Sequence, residues 1–321
     1  MGQAGFISVA KYDGHIISYE YKEGFEDIKP ISGDSIFNIT PLSKQFTAFA
    51  ILILEEQRKL SLSDSILKYL PELGEYARDI TLQHLIYHTS GLKDYLELAL
   101  NRGVSYTDDL SVEVILEDIY RQDTKEFKAG TQFQYSNTGY FLLAQVVEKV
   151  GKKKFSEFLN EYVFLPLGMF STSVVDAYPT NRKSVIGYKQ IEDDKYEVSV
   201  SPWKNIGDSG VYSSVNDLLK WGENFNSCIV GTKQTIDKML SVLPSEQLNG
   251  NLIIDYEPYA FGLGQEYFMG EKLYDHSGAW LGIATYFMRF VDIHLTVIVL
   301  SNNEDLDVES IAYKVSAQVL K

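Results

Sequence analysis

Residues 41–57 read PLSKQFTAFAILILEEQ, an apolar run headed by a proline and a lysine. Phe46, Phe49, Ala50, Ile53 and Leu54 recur at helical spacing, and Ile51 and Leu52 between them are apolar too, so the pattern predicts a helix buried on most faces. It ends in the charged run Glu55-Glu56-Gln57-Arg58-Lys59. Proline suits the first position of a helix, and Thr40 before it is expected to act as a cap, in the extended geometry that residues preceding proline prefer. Lys44 is the anomaly. An amine at the head of a buried helix needs partners, because an unpaired buried charge is costly.

The elements on either side extend this picture. Residues 6–11 (FISVAK) and 15–21 (HIISYEY), separated by Tyr12-Asp13-Gly14, read as a β-hairpin. From about 60 to 200 the segments are mostly helical, among them TLQHLIYHTSGL (81–92), SVEVILEDIY (111–120), TGYFLLAQVVEKVG (138–151) and KFSEFLNEYVFLPLGM (154–169). Strand patterns return in KLYDHSGAWL (272–281), IATYFMRFVD (283–292) and LTVIVLSNN (295–303), and an amphipathic helix, VESIAYKVSAQVL (308–320), follows. Strands at both ends with helices between imply an α/β (α+β) fold: an antiparallel sheet flanked by helices, with a mostly helical region inserted. The expected division is 1–58 and 225–321 for the sheet region and 59–224 for the helical region, with a cleft between them.

Composition narrows the function classes. The 321 residues carry 44 acidic and 29 basic side chains, for a net charge of −15. Such a surface argues against nucleic-acid binding and against docking on anionic lipid. The single Cys228 permits no intrachain disulfide. No apolar run reaches membrane-spanning length, and the N-terminus has no basic segment followed by an apolar one, so the default expectation is cytoplasmic; a trimmed secreted or cell-envelope protein would read the same way. His84 and His88 have the i, i+4 spacing of a zinc pair, but no Glu follows His84 and no third ligand is evident; packing and capping explain them better. No metal or cofactor is expected. Gly207, Asp208, Ser209 and Gly210 lack the context of a phosphate loop and are expected to border the cleft.

Three separated stretches carry a family resemblance. They are residues 41–73, headed by Lys44; residues 129–151 (AGTQFQYSNTGYFLLAQVVEKVG), with Tyr135-Ser136-Asn137; and residues 274–287 (YDHSGAWLGIATYF), with His276-Ser277-Gly278. LQHLIYHTSGL (82–92) and GDSGVYSSVNDLLKWG (207–222) lie between them. Together they resemble the serine β-lactamase and penicillin-binding-protein superfamily, closest to its class C and esterase-like branch. The resemblance implies a cleft for amide, ester or peptide-like ligands and acyl transfer through a serine ester, with a Ser-x-x-Lys turn presenting hydroxyl and amine on one helix face. Carried over, Lys44 is the base and Tyr135 a second proton-handling group. Asn137 holds the substrate amide. His276, Ser277 and Gly278 replace the more familiar Lys-Thr-Gly on the cleft-edge strand, and the Ala279 backbone is an oxyanion donor.

The departures matter as much. Pro41 occupies the nucleophile position, and proline has neither an Oγ nor a backbone N–H, so the family's nucleophile and one oxyanion donor are both missing. The family's usual helix ahead of the first strand is also not found in this sequence, where that strand begins almost at Met1: either the sequence is truncated there or one sheet face is covered differently. Ser43 directly precedes Lys44 and points about 100° around the helix from it. Thr40 has the better spacing, four residues before Lys44. Three readings follow: a nucleophile-deficient relative that binds ligands in its cleft; a hydrolase or acyltransferase using Thr40, Ser43 or water with Lys44 and Tyr135; and a scaffold protein with a vestigial cleft.

Overall fold

A computed structural model describes residues 5–22, 31–175, 184–192, 195–243 and 258–321. Its elements run β1 (Phe6–Tyr12), β2 (His15–Lys22), β3 (Phe37–Asn38), α1 (Lys44–Glu56), α2 (Leu82–Ile86), α3 (Tyr95–Asn101), α4 (Val112–Tyr120), α5 (Asn137–Gly151) and α6 (Phe155–Leu159). They continue with β4 (Ser173–Val174), β5 (Tyr188–Glu192), β6 (Lys195–Val198), β7 (Val211–Ser213), α7 (Val215–Ser227), α8 (Lys233–Met239), β8 (Gly264–Phe268), β9 (Glu271–Trp280), β10 (Ile283–Phe290), β11 (Leu295–Ser301) and α9 (Val308–Val319).

Six strands form the main sheet in the order β2-β1-β11-β10-β9-β8. Each neighbouring pair is antiparallel, so the first hairpin joins the C-terminal meander through β1 and β11, with Val9 opposite Ile298. β10 and β11 are buried throughout and mostly apolar because both faces are covered. Tyr286, Met288 and Phe290 of β10 and Val297 and Val299 of β11 meet Val308, Ala312 and Val315 of α9. Phe287, Ile298 and Leu300 turn to the other face and join the larger core with α1 and α7. Phe46 anchors that core edge-on to Phe164, with ring centroids 5.4 Å apart, and against Trp221 at 4.7 Å.

Several expectations need correction. The buried helix is α1, but a 3₁₀ turn over Thr40–Ser43 precedes it. Thr40 makes no side-chain cap and is not extended: its φ is 54°, a left-handed conformation that costs a β-branched residue strain. The intervening region also holds the short strands β4 to β7, and β8 is an edge strand that its sequence, GQEYF, did not announce. The 224/225 division would cut through α7, a continuous helix. No helix among the described residues is long and apolar enough to cross a membrane.

Candidate active site

The 3₁₀ turn brings Pro41 to a cleft wall and turns the hydroxyls on either side of it away. Thr40 is fully buried, and its Oγ1 lies 3.0 Å from Thr285 Oγ1 beneath β9. Ser43 is fully buried as well, and its Oγ accepts the Val211 N–H at 3.2 Å. The turn packs so closely under β9 that a Cβ at Gly278 would stand 2.0 Å from Thr40 Oγ1 and 2.3 Å from Thr285 Oγ1. Only glycine fits there, which accounts for one residue of the His276-Ser277-Gly278 motif.

Lys44 heads α1 and is wholly buried. Its Nζ donates to Asn137 Oδ1 at 2.9 Å and to the Asp208 carbonyl at 3.1 Å, and it lies 4.9 Å from the centroid of the Tyr135 ring. Asp94 supports this arrangement. Its Oδ2 accepts the Asn137 N–H at 2.6 Å and the Asn137 side-chain amide at 3.1 Å, while its Oδ1 caps α3 through Leu96. Burial lowers the Lys44 amine to about 8, against the opposing charges of Asp208 and Asp94. Burial pushes the Asp208 carboxyl up to about 6, opposed by Lys44 and by the Tyr95 hydroxyl, which donates to it at 2.7 Å. Thr47 ties the same loop to α1 by donating to the Gly207 carbonyl at 2.6 Å.

The opposite wall is β9. Strand β8 pairs with it only as far as Asp275, so the stretch from His276 to Trp280 has no β8 partner on the cleft side. Ser277 and Ala279 are exposed there. His276 is buried: its Nδ1 lies 2.5 Å from the Ser277 carbonyl and must carry the proton, so Nε2 accepts from the Tyr259 hydroxyl at 3.1 Å. Burial, with Lys44 nearby, lowers its pKa to about 4, so the imidazole is neutral. A cleft of about 570 Å³ opens between these walls, with Pro41, Tyr135, Tyr259, Ser277 and Ala279 near the sheet edge and Glu266, Asp275 and Glu309 beyond it. Tyr135 is 40% exposed, and no described residue bonds its hydroxyl. The surrounding protein first, and then the charge of Asp208, hold that phenol above the ordinary tyrosine range.

The Beta-lactamase family model matches residues 7–320. The chain belongs to the beta-lactamase family. It is 27% identical to a penicillin-binding protein of Bacillus subtilis (strain 168), an alignment covering 98% of this chain and 72% of that one. It is also 24% identical to the D-aminopeptidase of Gluconobacter oxydans (strain 621H), covering 99% of this chain but only 58% of the relative. Among solved structures, the octameric penicillin-binding protein homologue from Pyrococcus abyssi superposes with a TM-score of 0.81 at 26% identity, covering 98% of this chain and 73% of that one. A D-stereospecific amidohydrolase from Streptomyces sp. shares the fold, with a TM-score of 0.78 at 20% identity over 94% of this chain and 89% of that one.

On this beta-lactamase-family scaffold, the structure brings Pro41 and Tyr135 to the cleft together with His276, Ser277 and Ala279, while Lys44 and Asn137, bonded to each other, are not among its lining residues. The supporting carboxylates Asp94 and Asp208 were missed as partners. A lone Asp in a loop gives no signal; the loop of Gly207, Asp208, Ser209 and Gly210, expected to border the cleft, instead buries Asp208 against Lys44 and Tyr95. Asn137 accepts from Lys44 through Oδ1 and donates to Asp94 through its side-chain amide. His84 and His88 do not act as a pair. His84 Nδ1 accepts the Thr81 N–H at 3.2 Å in a capping box, whereas His88 Nδ1 accepts the Ser136 N–H at 3.1 Å.

Proposed function

We propose that Pro41 stands where the beta-lactamase family carries its nucleophilic serine, and that this protein binds a carbonyl ligand (an amide, ester or peptide) without forming an acyl-enzyme. The observation carrying this reading is the cleft wall itself. A well-partnered lysine remains behind it, while its face holds a proline with neither hydroxyl nor N–H. Thr40 and Ser43 are buried and committed to other partners, so neither is placed to replace the missing serine. The ligand carbonyl meets the free Tyr135 hydroxyl and the open edge of β9 around Ser277 and Ala279.

Charge narrows the ligand class. Above about pH 4 His276 is neutral, and the far end of the cleft presents Glu266, Asp275 and Glu309. A ligand with a neutral or cationic group there is favoured over one with a carboxylate. The D-aminopeptidase relatives make amino-acid amides the first compounds to try. A second reading, a hydrolase that activates water, is favoured by the lowered Lys44 amine beside an unpartnered tyrosine hydroxyl.

Calorimetric titration with D-phenylalanine amide and with benzylpenicillin tests both. The binding reading expects the amide to bind, about tenfold weakening in Tyr135→Phe from one lost hydrogen bond, and no heat from the penicillin. Absence of amide binding contradicts it. Steady release of phenylalanine, lost in Lys44→Ala, replaces it with the hydrolase.

A further inference from the structure

We propose that His88 is a positioning residue that fixes Tyr135 against Lys44, gripping the Tyr135-Ser136-Asn137 turn by its backbone and by its ring. The role in ligand binding rests on the reading above, that the ligand meets Tyr135; the grip itself does not.

His88 follows α2 in a left-handed conformation, with φ 56°, which swings its ring under the turn. Its carbonyl accepts the Gln134 N–H at 2.9 Å, and its Nδ1 accepts the Ser136 N–H at 3.1 Å, so one residue bonds both neighbours of Tyr135 in the chain. Its ring lies against the Tyr135 ring at 4.3 Å and 33°, and Tyr259 closes in on it at 4.6 Å and 62°. Tyr259 in turn bonds His276, so the two cleft walls are joined through His88. Because Nδ1 accepts an N–H, the proton of the neutral ring is on Nε2, and that buried nitrogen has no hydrogen-bond partner among the described residues. An interior histidine kept for packing alone would not leave a polar hydrogen orphaned at a cost of about 1–3 kcal/mol. Here the cost is accepted because the other nitrogen is needed by the turn. Burial, with Lys44 and His276 nearby, keeps the ring well below its ordinary range and uncharged.

Two variants separate the two contacts. His88→Asn can offer an acceptor to Ser136 but removes the ring; His88→Phe keeps a ring and removes the acceptor. The tyrosine ring carbons are followed by NMR through a pH titration, with Tyr135 identified from Tyr135→Phe. Both variants are expected to release Tyr135, so that its titration falls from above the ordinary range toward about 10 while the other tyrosines keep theirs. In a Pro41→Ser background, reaction with p-nitrophenyl acetate is expected to fall about tenfold in kcat with KM little changed. Melting-temperature loss with an unmoved Tyr135 titration makes His88 merely structural and overturns the proposal. In the wild-type protein, nitrogen-15 spectra must show Nδ1 unprotonated and Nε2 protonated from pH 5 to pH 8, roughly the window in which a free histidine would charge; a protonated Nδ1 overturns the proposal even if neither variant folds. If Pro41→Ser is unreactive, the function reading fails and the titration still decides the role of His88.

Discussion

The two sides of Pro41 are built to different standards. Behind it, Lys44, Asn137, Asp94 and Asp208 form a largely buried hydrogen-bonded network, in which Asp208 Oδ1 is a buried acceptor with no partner among the described residues. In front of it, the cleft wall offers a proline ring, a free tyrosine hydroxyl, an exposed serine and an unpaired strand edge. Buried polar groups are expensive to rearrange, so the inner network holds its geometry whether or not chemistry occurs in front of it. The outer face can lose its reactive group with little effect on folding. On the proposed reading of Pro41, that asymmetry is how a catalytic frame can outlast its nucleophile.

The largest effect should come from the inner side. Asp94→Ala removes the acceptor for two Asn137 donors and the cap of α3, and should cost about 3–4 kcal/mol in urea denaturation. A loss below about 1 kcal/mol would mean that the network is loosely held. Next is Lys44. Its amine falls from 10.5 when unfolded to about 8 when folded, so between these values the unfolded chain binds more protons and stability rises with pH. The rise should approach about 3 kcal/mol and should vanish in Lys44→Met. A flat profile in the wild type would place the amine in solvent.

Gly278→Ala, at the seam between the two sides, forces a methyl onto Thr40 Oγ1 and Thr285 Oγ1 and should cost about 1–3 kcal/mol. Pairing it with Thr40→Ala, which removes the nearer of the two hydroxyls, should recover part of this loss. Smallest is Ser277→Ala on the outer wall, expected to stay within about 0.5 kcal/mol in stability while weakening binding of D-phenylalanine amide.

Much of this was legible from residues alone. The period of Phe46, Phe49, Ile53 and Leu54 gave α1, and the mostly apolar runs within 283–303 gave β10 and β11, because burial imposes those patterns directly. The ordered motifs located the cleft. Thr40 was misread because local preference favours extended backbone before proline, whereas the packing of the turn under Gly278 imposes a left-handed one. Asp94, Tyr259 and His88 escaped notice as site residues for a related reason. Each acts through a contact far along the chain, and nothing in its neighbours records that contact. The short strand β8 was missed because its half-exposed edge needs no apolar run.

The most direct test is intact-protein mass after incubation with p-nitrophenyl acetate, comparing wild type, Pro41→Ser and Pro41→Ser with Lys44→Ala. We expect no adduct on the wild-type cleft, an acyl adduct localised to residue 41 in Pro41→Ser, and its loss when Lys44 is also removed. An adduct on the wild-type cleft that depends on Lys44, or a Pro41→Ser protein that stays unmodified while binding its ligand, would contradict an intact catalytic frame lacking only its nucleophile.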